Sequence, residues 1–333
     1  MPNCAARVMS MKILVLRGGA LGDFLVTLPA LGLLRARWPR SRIELVGHAR
    51  AAELVRPGGR LDAVHSQHEA RWAALYGREP LPAALQAWLA EFDLVVNFWP
   101  DTDGALAAHF PTRTGQQWVT ASALPAVSPA ARHYCEALRP LGLATTDYQT
   151  RLWVGKSEYR NPHRGRRPTV RQSETISPNT RTPKSGTQNT ERRTQNEIPI
   201  AIHPGSGSPR KNWPVGRWTE LAGRLRGQAR LLIVGGEADT TAAAALAAYG
   251  EVALNLPLPE LARRLAACRL FLGHDSGVSH LAAAVGTPCV LLFGPTDPAM
   301  WAPPGELVHV IHRGPELSAI SVDAVWAAVA ARR

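Results

Sequence analysis

Apolar residues in this chain come in short runs that end on glycine or histidine. The first run, Ile13-Leu14-Val15-Leu16, stops at Gly18-Gly19. After Gly22-Asp23 the spacing changes to that of a helix, with apolar residues at Phe24, Leu28, Leu31 and Leu34. Pro29 falls inside this helix and predicts a kink, because proline has no N–H and crowds the preceding turn. Arg42–Gly47 (RIELVG) and Asp93–Phe98 (DLVVNF) read as further strands, the second following a helix near Leu81–Glu91. Short apolar strands alternating with helices predict βαβ units and a parallel sheet.

The pattern restarts at residue 198. Strands are expected at Ile198–Ile202, Arg230–Val234, Arg269–Gly273, Cys289–Phe293 and Leu307–Ile311. Helices are expected at Val215–Arg226, Asp239–Ala248, Pro259–Ala267, Val278–Val285 and Val322–Ala331. Glycine or histidine follows each of these strands, at the sheet end where open α/β sheets place their ligand loops. Between the halves, residues 156–197 are rich in Arg, Thr, Ser, Asn, Gln and Pro and nearly devoid of aliphatic side chains. Such a composition buries too little apolar area to offset ordering entropy, so disorder is expected there. The chain therefore divides into an N-terminal domain over 11–155, a polar insert over 156–197 and a C-terminal domain over 198–333. The final helix is assigned to the C-terminal domain, with the option of packing back on the N-terminal one.

Composition adds limits. The 333 residues suit two domains, and the 45% hydrophobic and 19% charged content is that of a globular protein. No apolar run approaches the roughly 18–20 residues that span a bilayer. Met11-Lys12 before the first strand reads as a natural start, which would make residues 1–10 an upstream extension. Cys4, Cys135, Cys268 and Cys289 form no C-x-x-C pair and are expected to be free thiols in a reducing cytoplasm. The net charge of +12 invites a nucleic-acid partner, but residues 156–197 alone carry ten basic against four acidic residues, half of the excess. What remains suits a protein that meets phosphates or an anionic membrane surface, and no nucleic-acid partner is expected.

Five motifs sit at strand ends. Arg17-Gly18-Gly19-Ala20-Leu21-Gly22-Asp23 is a glycine-rich strand-to-helix turn. Asp23 is either the cap of that helix or a general base at a cleft, and the two roles compete for the same oxygens. His203-Pro204-Gly205-Ser206-Gly207-Ser208-Pro209-Arg210-Lys211-Asn212-Trp213-Pro214 combines small residues with paired cations before a helix, which suits a pyrophosphate. Gly235-Gly236-Glu237 places a carboxylate where Rossmann folds hold ribose hydroxyls, or where it caps a helix. His274-Asp275-Ser276-Gly277-Val278-Ser279-His280 opens an Ala-rich helix whose first amides face an anion. Its two histidines and aspartate do not obviously converge as metal ligands at a helix start, and a lone histidine there, His280, is more often a hydrogen-bonded core residue than a ligand. Phe293-Gly294-Pro295-Thr296-Asp297-Pro298 is ordinary turn chemistry.

In this order the motifs resemble glycosyltransferase family 9, the ADP-heptose:lipopolysaccharide heptosyltransferases and their relatives. The resemblance spans nearly all of the chain outside 156–197. It implies a GT-B fold, two Rossmann-like α/β domains with parallel sheets facing across a cleft, acceptor on the N-terminal domain and donor nucleotide on the C-terminal one. It implies an inverting, metal-independent transfer without a cofactor, from a nucleotide sugar such as ADP-heptose to a lipopolysaccharide-core or related glycolipid or oligosaccharide. By the same resemblance Asp23 looks like the base, and Gly18, Gly19 and Gly22 form the acceptor-side loop. Lys211 looks like the cation on the donor phosphates, with Ser206 and Ser208 beside it. Glu237 looks like the ribose contact, and Asp275, Ser276, Gly277 and His280 like the sugar- and phosphate-binding helix start. Location in the cytoplasm is expected, with the option of peripheral contact to the inner membrane. Two alternatives stand beside it: another two-domain sugar-nucleotide enzyme such as an epimerase, which needs no acceptor, and a non-catalytic binder of sugar nucleotides or anionic surfaces.

Overall fold

The structure is a computed structural model that describes residues 11–152 and 198–332. The expected insert 156–197, residues 1–10 and the remaining domain edges, 153–155 and 333, lie outside the described residues. The N-terminal half runs β1 (Lys12–Arg17), α1 (Leu21–Arg37), β2 (Arg42–Gly47), α2 (Ala49–Ala52), β3 (Ala63–Ser66), α3 (Ala83–Leu89), β4 (Leu94–Asn97), β5 (Gln117–Thr120) and α4 (Ala130–Glu136). Its five strands pair in parallel in the order β3-β2-β1-β4-β5. The C-terminal half runs β6 (Ile200–Ile202), α5 (Val215–Leu225), β7 (Leu231–Gly235), α6 (Thr240–Leu246), β8 (Glu251–Leu254), α7 (Leu258–Ala266), β9 (Leu270–His274), α8 (Gly277–Ala284), β10 (Cys289–Phe293), α9 (Pro298–Trp301), β11 (Val308–His312) and α10 (Val322–Ala330). Its six strands pair in parallel in the order β11-β10-β9-β6-β7-β8.

These are two Rossmann-like α/β domains, and each sheet reverses its strand order once. In the first the reversal lies between β1 and β4, paired through Ile13 and Leu94. In the second it lies between β6 and β9, paired through Ile202 and Leu272. Ligand loops belong in the crevice at such switch points. The turn carrying Asp23 leaves β1, and the loops carrying Lys211 and Asp275 leave β6 and β9. The central strands are buried on both faces and lie within two residues of their expected bounds. The edge strands β3, β5 and β8 do not follow from the apolar pattern, because each is half-exposed and lacks a continuous apolar run.

Pro29 sits inside α1 as expected. The carbonyl its missing N–H leaves free is that of Leu25, and the Thr150 hydroxyl donates to it at 2.8 Å. Two residues on, the Leu152 amide donates to the Ala284 carbonyl of α8 at 2.8 Å. The end of the N-terminal half is thus tied to both halves. The last helix does not turn back on the N-terminal half. Val322, Val325, Ala328 and Val329 of α10 are buried with Trp213, Trp218 and Leu221 in the C-terminal core, because that apolar stripe packs against the apolar face of α5. Cys135, Cys268 and Cys289 are free and buried. Among the described residues no helix is long and apolar enough to cross a membrane.

Candidate active site where two helix starts meet

The helices α1 and α8 point their N-termini at each other across the two domains. A Cβ placed on Gly277 would lie 2.9 Å from the Gly22 amide nitrogen and 2.9 Å from the Leu21 Cβ. Only glycine fits there. Beside this contact is an opening of about 660 Å³, lined by Leu21, His48 and Glu53 from one domain and by Gly236, Glu237, Asn255 and Val278 from the other.

On the N-terminal side, Asp23 occupies the third position of α1. Its Oδ2 accepts the Ala20 N–H at 2.9 Å, and its Oδ1 accepts from Arg17 Nη2 at 3.0 Å. Arg17 also donates through Nε to the Asp23 carbonyl at 3.1 Å. The Arg17 side chain is only 4% exposed and lies over the Tyr134 ring, 4.6 Å from its centroid. Asp23 is therefore a helix cap held by a buried guanidinium, and each oxygen keeps a further lone pair. The turn is built around this carboxylate. Gly19 has φ +104°, and a Cβ on it would lie 2.5 Å from Asp23 Oδ2. Gly18 faces the indole of Trp99 and the side chain of Gln67, which donates to the Gly19 carbonyl at 3.2 Å. Gly22 faces Gly277 and His280.

On the C-terminal side, Lys211 Nζ donates to Asp275 Oδ2 at 2.9 Å, with side chains 32% and 10% exposed. Ser208 precedes the turn Pro209–Lys211 that carries this lysine, and Ser206 Oγ bridges the Ser208 carbonyl and the Asn212 side chain at 2.8 and 2.7 Å. The Ser206 hydroxyl is thus engaged within the loop, whereas Ser208 takes part through its backbone. Ser276 caps α8 by accepting the Ser279 N–H. His280, one turn into α8, is buried, and its ring donates to the Trp301 carbonyl. Burial pushes its proton affinity down, Asp275 and Asp23 oppose that, and Lys211 adds to it. His280 thus lies within electrostatic reach of Asp23 from one domain and of both Lys211 and Asp275 from the other. Glu237 stands apart from this group, exposed on the wall of the 660 Å³ opening.

His274 takes no part in ligand chemistry. It accepts the Trp213 N–H at Nε2, 2.8 Å, and therefore carries its proton on Nδ1, which donates to the Gly205 carbonyl at 3.2 Å. Complete burial pushes its pKa down to about 3, so it is a neutral tie between β9 and the Lys211 loop.

Known proteins resemble this chain in part of its sequence and in its whole fold. The model of "Glycosyltransferase family 9 (heptosyltransferase)" matches residues 169–322. The lipopolysaccharide heptosyltransferase 1 of Pseudomonas aeruginosa is 43% identical over 93 residues, 26% of each chain. The glycosyltransferase family 9 crystal structure from Veillonella parvula superimposes with a TM-score of 0.71 at 21% identity, covering 97% of both chains. The heptosyltransferase WaaC of E. coli with ADP gives 0.66 at 22% identity, covering 97% of this chain and all of that one. Over residues 169–322 the chain is similar to glycosyltransferase family 9, the heptosyltransferases, and its two-domain fold is that of the solved members. Its matches to the curated heptosyltransferases span between about a quarter and about two fifths of their own lengths.

The two-domain architecture expected from the motifs is the one found. Two buried residues have no role in the sequence reading. Arg17 enters it only as the start of the glycine turn. Asp239 enters it only as a helix start, yet it is 8% exposed and reaches three loops at once. Its Oδ2 accepts the Gly236 N–H at 2.8 Å and faces His203 Nε2 at 3.2 Å. A Cβ on Gly205 would overlap Asp239 Oδ1, and one on Gly235 would lie 2.8 Å from the Asp239 Cβ. Glycines expected to give a tight turn and close approach of the backbone to a ligand here make room for a carboxylate. The available signal was a histidine and an aspartate, each close to a glycine motif, on neighbouring strands.

Proposed function

We propose that this protein is an inverting, metal-independent glycosyltransferase. It moves a sugar, heptose from ADP-heptose, onto a lipopolysaccharide-core or related glycan acceptor. The contact of Gly22 with Gly277 and His280 carries this reading, because it sets the helix start that holds Asp23 against the helix start preceded by Asp275 and its partner Lys211. In an inverting transfer a base takes the acceptor proton while charge grows on the departing diphosphate. Asp23 is the base, fixed by Arg17 and the Ala20 amide. Lys211 and the first amides of α8 receive the diphosphate, with Asp275 and His280 toward the transferred sugar. Glu237 meets the nucleoside from the wall of the opening. Gly18, Gly19 and Gly22 line the acceptor side. Preorganised donors of this kind are worth roughly 3–4 kcal/mol each in a transition state, so lysine and helix amides supply the charge a metal would otherwise provide. The acceptor is a glycolipid or oligosaccharide, and the enzyme works in the cytoplasm with peripheral contact to an anionic membrane surface.

The test is transfer from ADP-heptose to a lipopolysaccharide-core acceptor in EDTA, with the anomeric configuration of the product read by NMR. An inverted linkage formed at full rate in EDTA supports the proposal. Retention of configuration, loss of activity restored only by a divalent metal, or isomerisation of the nucleotide sugar without any acceptor would each refute it.

A further inference from the structure

Beneath Ser276 lies a buried chain of polar groups that the proposed mechanism leaves unused. The imidazole of His203 is 3% exposed. Its Nε2 faces Asp239 Oδ2 at 3.2 Å and its Nδ1 faces Ser276 Oγ at 3.2 Å. A carboxylate only accepts, so Nε2 carries a proton. Ser276 Oγ already accepts the Ser279 N–H at 3.3 Å and lies 3.1 Å from Ser279 Oγ. The Ser279 hydroxyl proton is committed to the His274 carbonyl. Ser276 therefore has one proton to give and one remaining place to accept.

Where that proton points depends on His203. With Nδ1 bare, Ser276 donates inward to the ring. With a proton on Nδ1, the ring donates to Ser276, and the serine proton is freed from the ring, to be given to Ser279 Oγ or to an anion at the start of α8. In that arrangement His203 is a cation balanced by Asp239, and both of its N–H groups have acceptors. The charged and titratable groups that face the ring are Asp239 from the start of α6 and His274 from the end of β9. His274 stays neutral, and the nearby Asp275 is engaged by Lys211. Burial raises the cost of the Asp239 charge, yet His203 and the Gly236 amide hold it ionised, below its ordinary range.

We infer that His203 and Asp239 are positioning residues for the diphosphate of the donor: an anion at the start of α8 draws a proton onto His203, and the imidazolium, held by Asp239, turns the Ser276 hydroxyl outward as a donor. This deepens the proposed function and rests on it, because it assumes that the α8 start receives a diphosphate. The ligand class is any nucleoside diphosphate or its sugar ester. The adenosine portion lies outside its reach.

The experiment measures ADP and adenosine binding by calorimetry to the wild type, Asp239→Asn, His203→Gln, Ser276→Ala and the Ser276→Ala/Asp239→Asn double variant. Each is checked for folding by its melting temperature. Binding is repeated in two buffers of different ionisation enthalpy. Wild-type binding of ADP tests the proposed function itself; absence of ADP binding to the wild type removes that reading and this inference with it. Given wild-type binding, Asp239→Asn and His203→Gln are expected to lose about tenfold in ADP affinity, the scale of one charge-assisted hydrogen bond, with adenosine affinity unchanged. Proton uptake on ADP binding, present in the wild type, is expected to fall in both. Adding Asp239→Asn to Ser276→Ala is expected to cost no further ADP affinity. Equal loss of ADP and adenosine, unchanged proton uptake, or full additivity in the double variant would overturn the inference. Should either single variant melt far below the wild type, the comparison of Ser276→Ala with wild type in proton uptake decides: equal uptake overturns it and reduced uptake supports it.

Discussion

Gly22 and Gly277 bring the backbones of α1 and α8 into direct contact across the domain junction. A methyl group on Gly277 would sit 2.9 Å from the Gly22 amide nitrogen, whereas one on Gly22 would sit 3.6 Å from the Gly277 Cα. Gly277→Ala is therefore expected to push the domains apart, and Gly22→Ala to do so much less. Overpacking of this kind costs about 1–3 kcal/mol. Small-angle scattering should show a larger radius of gyration for Gly277→Ala, together with a raised KM for the donor. An unchanged radius with normal kinetics would show that the contact yields without moving either domain.

Asp23 serves as cap and as proposed base, and the two roles separate by magnitude. Asp23→Ala is expected to lower kcat by roughly 10²–10⁴-fold, the usual scale for a lost general base. Loss of the cap should cost about 1 kcal/mol of stability. ADP affinity should stay near the wild-type value, since the proposed diphosphate site belongs to the other domain. A proportional loss of ADP binding and turnover would assign Asp23 a structural role alone.

Lys211 is paired with Asp275 at 2.9 Å. Lys211→Ala is expected to weaken ADP binding roughly tenfold or more. Asp275→Asn releases the lysine from its partner, so ADP should bind as tightly as before or more tightly while sugar transfer falls. Titration calorimetry of both variants checks this. Unchanged ADP affinity in Lys211→Ala would remove the lysine from the phosphate site.

The Thr150 hydroxyl answers the Leu25 carbonyl that Pro29 leaves without a helical partner. Thr150→Val should destabilise the protein by about 1–2 kcal/mol, because it leaves a carbonyl unpaired. In a Pro29→Ala background the backbone N–H restored at that position takes over, and the same substitution should cost much less. A denaturant double-mutant cycle measures the coupling. Equal costs in both backgrounds would mean that the carbonyl finds water instead.

His274 gives stability a pH dependence of known sign. Its folded-state pKa is depressed from 6.5 to about 3 by burial. The unfolded chain therefore binds an extra proton within that window. The stabilisation is complete above pH 6.5 and is lost as pH falls toward 3, at about 1.4 kcal/mol per unit for this one group. Urea unfolding between about pH 4 and 8 should show this slope, and His274→Gln should flatten it. A His274→Gln variant with the wild-type slope would place the acid sensitivity elsewhere.

How much of this is legible in the sequence depends on what each residue answers to. Strands buried on both faces, such as Ile13–Leu16 and Cys289–Phe293, announce themselves as apolar runs, and their boundaries fall within two residues of the expected ones. The edge strand Gln117–Thr120 shows one buried residue in four, too few for any pattern. Helix starts at Leu21 and Gly277 follow from glycine and small polar residues in the preceding turn. That they abut each other does not, because nothing local in either motif refers to the other. Asp239 shows the same limit. Alone it looks like a helix cap, and its partners His203, Gly205 and Gly236 come from strands that only the sheet order brings together. Arg17 is in plain view, but a basic residue at a strand end has no signature that tells a solvated side chain from a buried one.

The loop that carries Lys211 is held from behind by the last part of the chain. Trp213 Nε1 donates to the Ile320 carbonyl at 3.0 Å, and Arg217 donates to the carbonyls of Ser318 and Ile320. During synthesis the residues that shape this loop leave the ribosome about a hundred positions before the ones that brace it. A nascent or truncated chain ending before Ser318 would therefore lack the carbonyls that brace Trp213 and Arg217, and the loop that carries Lys211 would be left without its support until the last part of the chain is in place.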